Sequence, residues 1–125
     1  MSKVLVVEDS KPQREMIANL LQNHQFEVVT ANNGLEALSQ AELIHPDVVI
    51  LDVIMPTMNG YELCRKLRDN PETWDVNIII CSTKSTSADR HWGFRQGANA
   101  YISKPFSPED LVDTVKEMLK SKKLS

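Results

Sequence analysis

Three observations predict an α/β fold with a doubly wound, five-stranded parallel sheet, (βα)5. Short apolar runs alternate with stretches of helical periodicity, and this strand–helix unit recurs five times along 125 residues. The run Val48-Val-Ile-Leu51 is apolar without interruption, the pattern of a strand buried on both faces. Polar residues able to carry chemistry follow the strands directly, at the edge where open α/β sheets place their ligands. The length suits one core and leaves no room for a second, so residues 1–125 read as a single domain.

Each element can be justified in turn. Lys3–Val7 is the first strand, followed at once by Glu8-Asp9-Ser10. Residues 11–22 carry Met16, Ile17, Leu20 and Leu21 at helical spacing, and Pro12 fits the first turn, where its missing donor does no harm. Phe26–Thr30 is a second strand. Asn33 with Glu36 three residues on resembles a capping box, opening a helix expected to bury Leu35 and Leu38 and to end before Pro46. The third strand runs into Asp52, and Pro56, which has no amide donor, places that carboxylate at or just past the strand end. Tyr61, Leu63, Cys64 and Leu67 mark a third helix, closed by the polar loop Asp69–Asp75. Val76–Cys81 is a fourth strand, followed by the hydroxyl-rich turn Ser82–Ser87 and a short helix from about Ala88 to Gln96, stopped by Gly97. Ala100–Ile102 is the fifth strand, and Lys104-Pro-Phe106 follows it. Ser107, Pro108 and two early acids open the last helix, with Leu111, Val112, Val115, Met118 and Leu119 as its buried stripe. Lys120–Ser125 is expected to fray.

Composition excludes several classes. A net charge of −3 offers no electrostatic footprint for nucleic acid. No apolar run approaches the length of a membrane span, and nothing at the start resembles a signal peptide. Cys64 and Cys81 stand apart among apolar neighbours, as buried thiols in a reducing compartment do, which points to the cytoplasm. His24, His45 and His91 are scattered among the elements and form no metal set.

Right-handed crossovers bring the C-terminal strand ends to one edge. Glu8 and Asp9 follow strand one, Asp52 strand three, Ser82 and Thr83 strand four, and Lys104 strand five. Singly, each could be a cap or a solvated turn residue; together they form a cluster. Three nearby carboxylates repel unless protonated or met by a cation, and oxygen-only donors on loops favour Mg2+. Lys104 and Ser82 add a positive charge and a hydroxyl, parts suited to a phosphoryl group in transit. Asp52 is the best nucleophile, as aspartyl phosphates are an established type of covalent intermediate. Pro105 restricts Lys104 to an extended conformation near the strand end.

Val6-Val-Glu-Asp-Ser10, Asp52-Val-Ile-Met-Pro-Thr-Met-Asn-Gly60, Gly97-Ala98 and Lys104-Pro-Phe106 together resemble the CheY-like receiver domains of two-component response regulators, over residues 2–121. The resemblance implies the flavodoxin-like strand order 2-1-3-4-5. It implies Asp52 as phosphoacceptor, with Glu8, Asp9, Asp52 and the Ile54 backbone carbonyl around Mg2+, Asp9 binding directly and Glu8 through water. Lys104 matches the lysine that contacts the phosphoryl group, and Ser82 and Tyr101 match the hydroxyl and aromatic switch positions, with Thr83 beside them. Phosphorylation would draw Ser82 inward and let Tyr101 turn into the vacated space. Glu8 stands where Asp is commoner and Ser82 where Thr is commoner. Ile54 and Lys84 fill the variable positions that tune loss of the phosphoryl group, and an apolar Ile54 cannot hold an attacking water.

Asp89–Ala98 is similar to stand-alone receivers of twitching motility and phototaxis. The expected output surface holds Arg90, Trp92, Arg95 and Tyr101, with Phe94 buried and Trp92 at the margin. The implied function is that of a single-domain response regulator without an output domain. It would take a phosphoryl group from a histidine kinase and control a protein target as a monomer or weak dimer, binding neither nucleic acid nor membrane. A receiver acting as an unphosphorylated adaptor is the alternative. An aspartyl phosphohydrolase would want an acid where Ile54 stands, and a flavin carrier would want hydroxyls where Glu8 and Asp9 stand.

Overall fold

Parity along the strands sets the two layers of this molecule. The computed structural model describes residues 1–124, with side chains through Lys120. Along the chain run β1 (Lys3–Val7), α1 (Lys11–Asn23), β2 (Glu27–Ala31), α2 (Gly34–Ile44), β3 (Val48–Leu51), α3 (Gly60–Asp69), β4 (Asn77–Ser82), α4 (Ser87–Arg95), β5 (Ala100–Ser103) and α5 (Pro108–Leu124). The five strands form one sheet in the order β2-β1-β3-β4-β5, and each pairing is parallel. Successive side chains point to opposite faces. Val4, Val6, Val48, Ile50, Ile79 and Cys81 therefore pack with Ile17, Leu21, Leu111, Val112 and Val115 of α1 and α5. Leu5, Val7, Val49, Leu51, Ile78 and Ile80 pack on the other side with Ala37, Ala41, Leu63, Cys64 and Leu67 of α2 and α3. The predicted sheet order and parallel pairing are both present.

Element bounds fall within a residue or two of the sequence reading, but two helices turn differently. Leu35, expected in the core, is 63% exposed. The buried face of α2 is Gly34, Ala37 and Ala41, small residues that let the helix approach closely, while Leu38 is half-buried. Met16 on α1 is likewise exposed, with Ile17, Ala18 and Leu21 inward. The expected frayed tail falls, from Ser121 on, outside the residues with described side chains.

On α4 the expectation that Phe94 is buried fails. Trp92 and Phe94 are both 48% exposed. Gly93, between them, is the residue that faces the sheet, and a methyl there would lie 2.8 Å from the Tyr101 ring and 3.0 Å from Ile80. The close approach of helix to strand needs a glycine, and the two aromatic rings are consequently turned to either flank.

The far end of α4 is held by Arg68 of α3. Its Nε and Nη2 donate to the Gly97 carbonyl at 3.0 and 2.7 Å, and Nη2 also to Asn99 Oδ1 at 2.9 Å. Its Nη1 reaches the Trp74 and Val76 carbonyls at 2.7 and 2.5 Å. The five donors of the planar guanidinium thus all find neutral oxygens, from the loop before β4 and the turn before β5.

Candidate functional site

β3 is buried at each of its four residues and delivers Asp52, only 8% exposed, to the C-terminal edge of the sheet. The Ile54 amide donates to Asp52 Oδ1 at 3.0 Å, which fixes the carboxylate from its own chain. Lys104, the residue after β5, reaches the other oxygen: its Nζ lies 2.8 Å from Asp52 Oδ2, 2.5 Å from Glu8 Oε1 and 2.5 Å from Gln13 Oε1. An ammonium has three protons, and these are three acceptors. Burial pushes the Glu8 carboxyl up, with the ammonium beside it pulling the other way. For Lys104, burial disfavours the charge, but hydrogen bonds to Asp52 and Glu8 outweigh it and hold the ammonium above the usual lysine range. Gln13, on the first turn of α1, carried no signal in the sequence.

Sequence reasoning gathered Glu8, Asp9 and Asp52 as three repelling acids around a metal. The geometry differs. Lys104 stands between Glu8 and Asp52, while the Asp9 carboxylate is exposed and has no ion-pair partner among the described residues. Among those residues no three acidic, histidine or cysteine side chains form a ready-made metal cluster. The donor chemistry nevertheless suits a hard divalent ion, since Asp9, Asp52 and the Ile54 carbonyl all present oxygen. No donor among the described residues reaches that carbonyl.

The second group of predicted residues lies between β4 and β5. Ser82, fully buried, is the last residue of β4; its Oγ accepts the Lys84 amide at 3.1 Å, and its carbonyl accepts the Lys104 amide at 3.0 Å. Thr83 is exposed beside it. Tyr101 is only 5% exposed, and its hydroxyl donates to the Lys84 carbonyl. The inward turn expected to accompany signalling is already made here, and Tyr101 lies beneath the expected output surface rather than on it. Arg90 stacks its guanidinium 5.4 Å from the centre of the Tyr101 ring and donates to Ser103 Oγ at 2.8 Å and the Tyr101 carbonyl at 3.2 Å. Trp92 and Arg95 remain exposed.

A family model described as the response regulator receiver domain matches residues 4–116. The chain belongs to that family. This receiver is 36% identical to the protein PilH of Pseudomonas aeruginosa over 119 residues, which cover 95% of the chain and 98% of PilH. It is 40% identical over 118 residues to a probable transcriptional regulator, ycf27, of Cyanophora paradoxa, covering 94% of the chain but only 48% of that longer relative. Among solved structures, the chemotaxis protein CheY4 of Vibrio cholerae superposes with a TM-score of 0.90 at 36% identity, covering 94% of this chain and 98% of that one. Membership accounts for the common edge on which Glu8, Asp52, Ser82 and Lys104 meet, contributed by four strands. No helix among the described residues is long and apolar enough to cross a membrane.

Proposed function

We propose that this receiver is a phosphoryl switch in which Asp52 takes a phosphoryl group from a histidine kinase. One observation carries the reading: the Asp52 carboxylate is presented at a strand end with one oxygen bonded to a backbone amide and the other to the Lys104 ammonium. Attack by a carboxylate oxygen forms the P–O bond as the P–N bond of a phosphohistidine breaks and the imidazole leaves. Lys104 is placed to meet the charge on the transferred oxygens, with Ser82 and Thr83 supplying hydroxyls from β4 and the turn after it. Asp9, Asp52 and the Ile54 carbonyl would hold Mg2+, with Glu8 acting through water; the ion would supply charge neutralisation. Ile54, a residue 56% exposed with an apolar side chain, offers no side-chain hydrogen bond to a hydrolytic water, which favours slow loss of the group.

The receiver acts as a cytoplasmic regulator, monomeric or weakly dimeric. It signals to a protein target through Arg90, Trp92 and Arg95, with Tyr101 behind them, and does not bind nucleic acid or membrane. Its likeness to PilH and to a chemotaxis protein supports a role in motility or taxis.

The test is labelling by acetyl phosphate with and without Mg2+, mapped by mass spectrometry. Wild type should gain one phosphoryl group at Asp52 only with Mg2+, and Asp52→Asn, nearly isosteric, should gain none while keeping its fold. A label that survives on another residue in that variant would overturn the assignment. An unlabelled wild type that still captures its partner would point to the adaptor reading.

A further inference from the structure

α3 starts hard against the backbone that carries Asp52. The Gly60 amide donates to the Val53 carbonyl at 2.9 Å, and a Cβ at Gly60 would collide with the Asp52 carbonyl oxygen. The first turn of α3 is therefore joined to the Asp52 segment by a backbone bond and packs directly against it. Tyr61 is the next residue. Its ring is buried, and its hydroxyl donates to the Asp89 carbonyl at 3.1 Å, within the first turn of α4. The Tyr101 hydroxyl lies 3.5 Å away. Each phenol has one proton to donate. Tyr61 places its proton on Asp89, and Tyr101 places its own on Lys84. The two neighbouring rings thus serve different partners: Tyr101 holds the turn before α4, and Tyr61 holds the helix itself.

That bond matters because the other outside contacts of the near end of α4 lead elsewhere: Arg90 bonds to Ser103 Oγ and the Tyr101 carbonyl, which ties it to β5 and not to α3. Gly93 is the one buried residue in its nine, and the Thr86–Asp89 capping box is internal to the helix and its cap. The Lys84–Asp89 ion pair, at 3.0 Å, joins two groups on the open side of the turn. We infer that Tyr61 is a positioning residue whose hydroxyl ties the first turn of α4 to the Asp52 segment, a second mechanical link beside the one through Ser82 and Lys84. The inference rests on the phosphoacceptor reading for the signal that the link would transmit, but the link itself exists in the unmodified protein.

Amide hydrogen exchange on the full chain tests both parts. In unmodified Tyr61→Phe, peptides spanning residues 87–95 should exchange about fivefold faster, the factor one buried neutral hydrogen bond is worth in a local opening. Tyr101→Phe should instead loosen residues 83–86. After treatment with acetyl phosphate and Mg2+, wild type should change its exchange over 87–95, whereas Tyr61→Phe should label equally at Asp52 and lose about half of that change or more. Wild-type exchange over 87–95 in unmodified Tyr61→Phe, or a full label-dependent change in that variant, would overturn the inference. Failure of wild type to label would overturn the phosphoacceptor reading, while the unmodified comparison still decides the tether.

Discussion

The ammonium of Lys104 is the only positive charge bonded to the carboxylates of Glu8 and Asp52 among the described residues, and all three side chains are about nine-tenths buried or more. Removing it would leave two like charges facing each other. Lys104→Met should therefore cost about 3–5 kcal/mol near pH 8, the range for breaking a buried pair. The cost should shrink towards pH 5, because burial already raises the Glu8 carboxyl and the variant can relieve its repulsion by taking up a proton. Urea denaturation of variant and wild type at both pH values checks this; a cost independent of pH would mean that the carboxylates do not repel. Glu8, Asp52 and Lys104 were each legible as site residues from their places after strands. Their pairing was not, since 96 positions separate Glu8 from Lys104 and only the closed sheet shows which acids the ammonium reaches. Gln13 was invisible for a related reason: its reach depends on the rotation of α1 about its own axis.

Helix faces were legible where large side chains make the contact and obscure where small ones do. α3 reads correctly because Leu63, Cys64 and Leu67 are both its apolar stripe and its buried stripe. In α2 the apolar weight of Leu35 drew the predicted face away from Ala37 and Ala41, which form the true one. α4 is the extreme case, with a glycine inward and two aromatic side chains outward. Gly93→Ala tests that packing. Helix propensity alone would favour alanine by about 1 kcal/mol. The added methyl meets a Tyr101 ring tethered by its hydroxyl, and overpacking of this kind costs about 1–3 kcal/mol. The variant should be the less stable protein in chemical denaturation, and Phe94→Ala should change stability less than it does. A stabilised Gly93→Ala would show that Tyr101 has room to move.

For the molecule as a whole, the alternation of strand and helix gave the class directly, whereas the strand order came by resemblance because local patterns do not say which strands are neighbours. The two-faced core has a consequence for alkaline stability. Burial pushes the thiols of Cys64 and Cys81 up to about 12 from an ordinary 9.0. Between those values the native chain keeps protons that the unfolded chain releases, so stability should fall as pH rises from about 9 towards 12. Lys104 acts in the same direction: its stabilising charge is fully present below the ordinary lysine range and is lost as pH climbs through its raised value. The urea midpoint should decline steadily above about pH 9 and recover in part in a Cys64→Ser, Cys81→Ser double variant compared with its own midpoint at neutral pH. A flat profile would contradict the burial of both thiols.

Arg68 gives the molecule its last mechanical property. By gripping Gly97, Asn99, Trp74 and Val76 together it fixes one end of α4 at the N-terminal edge of β4 and β5, the edge opposite the one that carries Asp52. A nine-residue helix is roughly 13 Å long at ~1.5 Å per residue. With that end as the pivot, a tilt of only about 10° would carry the other end, with its Tyr61 and Arg90 bonds, through roughly 2 Å. A displacement of that size would need no change within the strands, and it would carry along the exposed Trp92 indole, partway down the helix.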